Sequence, residues 1–366
     1  MNEQSPINRR TFIGGLGLVG LAAGTAAARR LLLGSDTPTA HAQDDGHGDQ
    51  PLMTHNMVAG DVDPAANGFD PMQILTDFDY GNVSTLPSGQ TLREYQLVAG
   101  EKTIEIAPGV TFPAWTYNGR VPGPTLRCTQ GDRLRITFIN GSSHPHSIHF
   151  HGIHSPAADG LTPVPPGGTF IYEFDATPFG LHLYHCHTIP FRRHIHKGLY
   201  GTFIIDPPTP RPPAKELVMM MNAFDTNFDG ENEFYAVNTI AFQYAKHPIP
   251  VKLGELVRIY LVNITEFDPV NSFHLHANMF NLYRTGTRLE PHDYTDMVTM
   301  GQGERHMLEC SFTFPGQYMF HAHQSEFSEL GWLGMFAVSE GATAGAGFAP
   351  AEITGICDLS SLTGGV

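Results

Sequence analysis

Apolar and polar residues alternate in several short segments of this chain, and this pattern predicts β-strands. In RLRITFIN (133–140) and VRIYLVN (257–263), apolar side chains recur at every second position. Segments rich in Gly and Pro, such as NGRVPGPT (118–125) and PVPPGGT (163–169), separate the predicted strands. Short alternating strands with frequent turns are typical of Greek-key β-sandwiches, so we expect an all-β chain.

The strand pattern occurs twice, which predicts two related domains. Three segments recur in the same order: GDRLRITFIN with GELVRIYLVN, HSIHFH with NSFHLH, and GLHLYHCH with GQYMFHAH. The copies are more than a hundred residues apart, a spacing that indicates duplicated domains rather than a solenoid. The predicted organisation is a signal peptide (1–42), a loop-rich leader (43–89), domain 1 (90–207), a Pro-rich linker (208–215), domain 2 (216–342) and a C-terminal tail (343–366).

Net charge and the N-terminal segment restrict the partners and the location. The formal net charge of −15 argues against nucleic acid and anionic membrane surfaces as partners. Arg9-Arg10 precede a stretch rich in Gly, Ala and Leu, and Ala40-His41-Ala42 resembles a cleavage site. These features predict a twin-arginine signal and a periplasmic or extracellular protein, with no membrane association after cleavage. An uncleaved anchor is the alternative, and Arg29-Arg30 within the apolar run disfavour it.

Histidine pairs separated by one residue are the clearest chemical signal. Six His-x-His patterns occur, whereas random placement of 20 His would produce about one. Alternate residues of a strand share a face, so each pair directs two imidazoles towards one point. Four pairs occupy matched positions in the two copies: His149/His151, His185/His187, His274/His276 and His321/His323. Buried imidazoles need polar partners and are good transition-metal ligands, so we expect metal sites.

The tripeptide His185-Cys186-His187 places a cysteine between two of these histidines. On a strand, Cys186 faces away from its neighbours, so a metal bound by its thiolate would lie directly behind metals bound by the histidines. Together with His146 and His194, Cys186 forms a Cys-His₂ set, which is the ligand set of a blue copper site.

The motifs H-x-x-H-x-H (146–151), H-C-H (185–187) and H-x-x-x-G-[MLF] (194–199) resemble those of the multicopper oxidase and copper nitrite reductase superfamily. Over roughly residues 95–340 the chain is most similar to two-domain multicopper oxidases, also called two-domain laccases, and this implies two cupredoxin-like domains. Leu199 falls where the family often has an axial Met; it cannot coordinate, so we expect a raised reduction potential.

The resemblance implies four coppers per chain and assigns their ligands. The type 1 copper would bind His146, Cys186 and His194; the type 2 copper His149 and His274; and the type 3 pair His151, His185, His187, His276, His321 and His323. Domain 2 has Asn271 and Ala322 at the positions of His146 and Cys186, so it would lack a type 1 site. Asp159 falls where the family has an acid that assists proton delivery, although a simple turn residue is a competing interpretation.

The family mechanism that follows is outer-sphere oxidation. A phenolic or aromatic-amine reductant would give single electrons to the type 1 copper near His194, and these would cross Cys186 to His185 and His187. Four electrons would reduce O₂ to two waters at the cluster. In such proteins the cluster lies between domain 1 of one subunit and domain 2 of the next, which implies a homotrimer.

Three alternatives stay open at this point. A copper nitrite reductase shares the two-domain trimer, but it has Asp at the position of His149 and does not need His187. A non-catalytic copper carrier would not require Cys186. An oxidase of Cu(I), Fe(II) or Mn(II) is the third, although the 13 Met form no Met-rich insert near the blue site.

Other residues are interpreted as structural. DTNFDGENE (225–233) resembles the start of a calcium loop, but Ala236 occupies the last ligand position, so we expect a polar loop between strands. A disulfide between Cys310 and Cys357 is possible, and the sequence does not establish it. Four further histidines are interpreted as outer-layer or surface residues: His144, His154, His182 and His196.

Overall fold

A computed structural model describes residues 60–341 of the 366-residue chain. The predicted signal peptide, the first part of the leader, the C-terminal tail and Cys357 lie outside the described residues. The first-half strands are β1 Phe78–Asp79, β2 Asn82–Thr85, β3 Thr91–Ala107, β4 Val110–Tyr117, β5 Thr125–Thr129, β6 Arg133–Asn140, β7 His149–Phe150, β8 Thr169–Asp175, β9 Gly180–His185 and β10 Tyr200–Asp206. The second-half strands are β11 Lys215–Phe224, β12 Phe234–Val237, β13 Ile249–Lys252, β14 Val257–Asn263, β15 Val270–Leu275, β16 Phe280–Arg284, β17 Asp293–Thr295, β18 Met297–Gly301, β19 Arg305–Cys310, β20 Gly316–His321 and β21 Leu333–Ser339.

Helices are few and short in the described part of the chain. They are α1 Pro64–Asn67, α2 Pro71–Ile74, the 3₁₀ helix Pro156–Ala158, α3 Phe191–His196, α4 Gln243–Lys246 and α5 Ser325–Glu329. None of them is long and apolar enough to cross a membrane.

The strands form four sheets, two built from residues before 207 and two from residues after 214. The first-half sheets have the orders β1-β5-β10-β9-β7 and β2-β3-β6-β8, with β4 paired to β3. The second-half sheets have the orders β13-β21-β20-β15-β18 and β12-β11-β14-β19-β16-β17. The all-β prediction is therefore confirmed.

Pairing directions repeat between the halves, as the sequence repeat predicts. The parallel pair β3–β6 corresponds to the parallel pair β11–β14, and each is followed by an antiparallel partner, β8 or β19. In the other sheets, parallel β5–β10 corresponds to parallel β13–β21. Strands β6 and β14 have the bounds of the two alternating segments, 133–140 and 257–263.

Two details differ from the expected strands. The leader contributes β1 and β2, which pair with β5 and β3 at sheet edges. In each matched histidine pair, only the first member lies in a strand: His149, His185, His274 and His321. The second member follows the strand end, although Cys186 N–H still donates to Leu199 O at 2.9 Å in the register of the β9–β10 pair.

Three apolar clusters form the interior. One lies within the first half and another is built almost entirely from the second half. The third, which we call the joint cluster, combines side chains from both halves, including Phe112, Leu183, Met220 and Val262. All four are buried, so the two halves share part of their core.

Candidate metal centres

The side chains of His146, Cys186 and His194 converge in the first half. Cys186 Sγ lies 3.2 Å from His194 Nδ1 and 3.8 Å from His146 Nδ1, and the two nitrogens are 3.1 Å apart. Ligand atoms that share one ion at about 2.0–2.3 Å lie about 3–4 Å from each other, so this donor set fits a metal. All three residues are buried.

Three elements position this Cys-His₂ group. Cys186 follows strand β9, His194 lies on the short helix α3, and His146 forms an isolated bridge with Val164. The backbone N–H of Ser147 donates to Cys186 Sγ at 3.4 Å, and burial raises the pKa of the Cys186 thiol. A bound cation would favour the thiolate against that burial.

The walls of the group are aromatic and apolar. The Trp115 ring lies 5.0 Å from the His146 ring and 4.9 Å from the His194 ring, measured between centroids. Leu199 is completely buried in the same core cluster as Cys186. The surroundings therefore exclude water from the two imidazoles and the sulfur.

A second group lies at the end of the neighbouring strands of the first half. Strand β7 pairs His149 with His185 of β9, and the ligand nitrogens of His149, His151 and His185 lie within 4.8 Å of one another. The Nε2 atoms of His151 and His185 are 3.2 Å apart. Burial lowers the pKa of His151 to about 2 and that of His185 to about 4, so both imidazoles are neutral and can act as ligands.

The second half contains the same arrangement. Strand β15 pairs His274 with His321 of β20, and His274, His276 and His321 have ligand nitrogens within 4.8 Å of one another. His276 Nε2 lies 2.8 Å from His321 Nε2. The repeat therefore extends from the strand order to the relative positions of individual ring nitrogens.

Backbone carbonyls fix the same ring nitrogens in both halves. His185 Nδ1 donates to Cys186 O at 3.0 Å, and His321 Nδ1 donates in the same way to Ala322 O at 2.6 Å. Each ring therefore carries its free lone pair on Nε2, directed at the neighbouring histidine. Lone pairs that converge in this way are what a metal ion needs.

His187 and His323 lie beside these triples without joining them. The His187 ring is 5.2 Å from the His149 ring, and the His323 ring is 5.4 Å from the His274 ring. Within residues 60–341, no group of converging ligand atoms combines histidines from both halves. One chain thus presents two separate three-histidine groups.

Asp159 lies against the first-half histidine group. Its Oδ1 is 3.1 Å from His149 Nδ1, which is also 3.1 Å from Asp159 O, and His154 Nε2 is 4.0 Å from the same Oδ1. These residues line an open cavity of about 440 Å³ with His151 and Arg305. Asp159 also ends the 3₁₀ helix, so its turn role and its contact with His149 coexist.

Several residues that contact the histidine groups were not predicted from the sequence. In the second half, His274 Nδ1 donates to Asp296 O at 3.0 Å, which parallels the contact of His149 with Asp159 O. Ser147 and Ser272 occupy matched positions before the histidine pairs, and each hydroxyl accepts a histidine backbone N–H. The shared Ser in HSIHFH and NSFHLH is the signal that could have identified them.

The structure also places the residues that were interpreted as structural from the sequence. His182 and His196 are buried, so of the two interpretations only the outer-layer one fits them, whereas His144 is half-buried. Asp225, Asp229 and Glu233 come together in the loop between β11 and β12, where backbone N–H groups of the loop donate to the Asp225 carboxylate. Cys310 is a buried thiol, and its candidate partner Cys357 lies outside the described residues.

Sequence comparisons identify the relatives of this chain. Residues 99–210 and 208–342 each match a multicopper oxidase family. A solved multicopper oxidase is 54% identical, covers 76% of this chain and 100% of its own chain, and superposes with a TM-score of 0.75. A copper nitrite reductase structure from Nitrosomonas europaea is 28% identical, covers 68% of this chain and 94% of its own, and has a TM-score of 0.62.

Curated relatives include a copper-containing nitrite reductase from Neisseria meningitidis, 29% identical over 61% of this chain and 63% of the relative. The chain spans between 33% and 63% of the length of the first curated relatives that it matches. The 54% identity over a complete solved chain, together with two family matches in succession, is decisive. The chain belongs to the multicopper oxidase family.

Proposed function

We propose that this protein oxidises phenolic or aromatic-amine reductants one electron at a time and reduces O₂ to water with four coppers per chain. The observation that carries the proposal is the division of one tripeptide between two donor groups. Cys186 Sγ lies 3.2 Å from His194 Nδ1, while His185 Nε2 lies 3.2 Å from His151 Nε2. Adjacent residues therefore connect the two groups through the shortest covalent path in a polypeptide.

Bound copper would supply the one-electron redox chemistry at both groups. His146, Cys186 and His194 would hold the type 1 ion, with Leu199 as a non-coordinating neighbour. His149 and His274 would hold the type 2 ion, and six histidines would hold the type 3 pair: His151, His185, His187, His276, His321 and His323. Asp159 would hold a proton at Oδ1 beside the open cavity and exchange it with water there.

We propose that the cluster is completed between chains of a homotrimer. Each half presents only part of the donor set, and exposed apolar residues surround both parts. Ile153 lines the cavity of the first-half group, and Met297 pairs with His274 in the second-half group. A contact between the first half of one copy and the second half of the next would close a ring and bury these side chains.

Copper analysis combined with O₂ uptake tests this function. We expect four coppers per chain, an intense blue band, EPR signals from two of the four, and O₂ consumption on a phenol without peroxide. Nitrite reduction is the second candidate, favoured by the nitrite reductase relatives. That alternative would be established if the protein held two coppers per chain and reduced nitrite instead of O₂.

We also propose export through the twin-arginine pathway to the periplasm or the extracellular space, from residues 1–42. N-terminal sequencing of the exported protein should locate the new terminus after Ala42. Replacing Arg9 and Arg10 with Lys should retain the precursor in the cytoplasm. Export of that variant at the normal level would contradict the proposal.

A further inference from the structure

A hydrogen-bonded chain connects His146 with the carboxylate of Glu101. His146 Nε2 lies 2.9 Å from Ser142 Oγ, and Ser142 Oγ donates to Glu101 Oε1 at 3.0 Å. His146 and Ser142 are buried, whereas Glu101 on strand β3 is exposed. These two hydrogen bonds therefore connect the Cys-His₂ group with the protein surface.

The Ser142 hydroxyl, which has one proton to donate, determines the direction of each hydrogen bond. Because the Ser142 hydroxyl donates to Glu101, its oxygen acts as acceptor towards His146 and towards the backbone N–H of His144, at 3.1 Å. His146 Nε2 must then carry the proton. The Nδ1 lone pair is left facing Cys186 and His194, as metal binding requires.

Glu101 is held as an anion by several donors. Besides Ser142, it accepts from Ser143 Oγ at 2.6 Å, from Ser143 N–H at 3.1 Å, and lies 3.1 Å from His144 Nδ1. Hydrogen bonds from Ser143 and His144 lower the pKa of Glu101 to about 2. The carboxylate is therefore charged at neutral pH.

The second half is an internal comparison. Asn271, at the position of His146, donates from Nδ2 to Thr265 Oγ1 at 3.0 Å, and Thr265 is at the position of Ser142. Among the hydrogen bonds of the described residues, Thr265 Oγ1 has none to a carboxylate. The hydroxyl acceptor is thus common to both halves, whereas in the described residues a carboxylate contacts this hydroxyl only in the half that contains Cys186.

We propose that Glu101 is a positioning residue for His146, that it acts through Ser142, and that it lowers the reduction potential of the copper held by His146, Cys186 and His194. This inference rests on the proposed function. An anionic acceptor strengthens the hydrogen bond along the chain and makes the imidazole a more basic ligand. A more basic ligand favours Cu(II) over Cu(I), so the charge lowers the potential.

Redox titration of the blue band in the copper-loaded, full-length protein tests the inference. Glu101→Gln keeps an acceptor for Ser142 without the charge, so the potential should rise while the blue band remains. Ser142→Ala should also raise the potential, whereas Ser142→Thr, which copies the second half, should leave it near the wild-type value. Adding Glu101→Gln to Ser142→Ala should change the potential little further, because the hydrogen bonds between Glu101 and His146 are already interrupted.

Glu94→Gln is the matched control. Glu94 lies on the same strand and pairs with Arg135, and its side chain is 44% exposed against 43% for Glu101. Its substitution therefore changes the net charge equally without altering the hydrogen bonds between Glu101, Ser142 and His146. A Glu101→Gln potential equal to that of Glu94→Gln would overturn the inference. The inference would also be overturned if Glu101→Gln raised the potential of the Ser142→Ala protein as much as that of the wild type. The charge of Glu101 would then act through space and not through Ser142. A wild-type protein without a blue band would instead contradict the proposed function.

Discussion

The Nε2 atoms of His151 and His185 lie 3.2 Å apart, and the His185 atom bears a lone pair because its Nδ1 donates to Cys186 O. Without a metal, one imidazole–imidazole hydrogen bond holds the two rings together. A bound cation would instead be held by the lone pairs of these nitrogens. The occupied group should therefore be more stable than the empty one.

Removal of copper should consequently lower the thermal stability. A ligand present at 100 times its dissociation constant stabilises the native state by about 2.7 kcal/mol, so we expect the unfolding midpoint to fall by several degrees. Differential scanning calorimetry before and after chelation measures this change, and added copper should restore it. An identical midpoint in both forms would argue against metal binding at these groups.

Cys186→Ser should abolish the blue colour and the turnover. The hydroxyl is a poor replacement for the thiolate, while His151 and His185 keep their positions. Copper content should fall by one ion per chain, with the rest retained. Turnover at the wild-type rate would show that electrons do not pass through this residue.

Two inactive variants should restore activity when combined. His149→Ala damages the first-half group and His274→Ala damages the second-half group, so each alone should lose O₂ reduction. If clusters form between chains, mixed oligomers refolded from both variants contain some intact clusters and regain part of the activity. Loss of activity in the mixture as well would place the cluster within one chain, and the His274→Ala protein should stay blue in either case.

Asp159→Asn should reduce turnover by about 10²-fold with copper content unchanged, because the amide cannot exchange a proton at Oδ1. The loss should be greatest at high pH, where protons are scarce. Asp296→Asn is the control, since its carboxylate is 3.8 Å from His274 Nδ1 and more exposed. Equal effects of the two substitutions would refute a specific role for Asp159.

Arg127→Met should destabilise the connection between the halves. Arg127 is buried and pairs with Asp206 and Glu216, each at 2.8 Å. Its removal leaves Asp206 without a cation and leaves Glu216 with Arg258 alone, at 3.2 Å. We expect a loss of about 3 kcal/mol in unfolding free energy at pH 7. Arg133→Met, which breaks an exposed pair with Asp175, should cost less than about 1 kcal/mol.

The Arg127 effect should depend on pH. Burial opposes ionisation of Glu216, but hydrogen bonds from Arg127 and Tyr260 lower the pKa of its carboxyl below the ordinary value. Such a group contributes stability above its unfolded pKa of about 4.3, and the contribution is lost as pH falls through the lower folded value. Urea unfolding at pH 7 and pH 3 should therefore show a smaller difference between wild type and Arg127→Met at pH 3.

Local patterns predicted a large part of the fold. The alternating segments became β6 and β14 with unchanged bounds, and the repeat predicted the shared strand order. The His-x-His spacing selected all six members of the two three-histidine groups, although the second member of each pair lies beyond the strand end and His187 and His323 lie outside the groups. The family match supports copper and an oxidoreductase, while the individual ligand assignments and the trimer stay predictions.

Contacts distant in sequence could not be predicted in this way. Glu101 reaches Ser142 across two strands, and Asp296 meets His274 only because β18 pairs with β15. The burial of His196 depends on the loop at Asp225, whose backbone N–H donates to its Nε2 at 3.0 Å. Each of these relationships arises from packing between segments that have no common local pattern.

The joint cluster sets the angle between the two histidine groups of one chain. Leu183 lies two residues before His185, and Val262 and Met220 belong to adjoining strands of the second half, so neither half can rotate freely. The proposed ring of copies would close only if that angle directed each contact towards the next copy around the ring. Met220→Ala would therefore reduce copper content without removing any ligand, and the number of subunits would be determined in the interior of each chain.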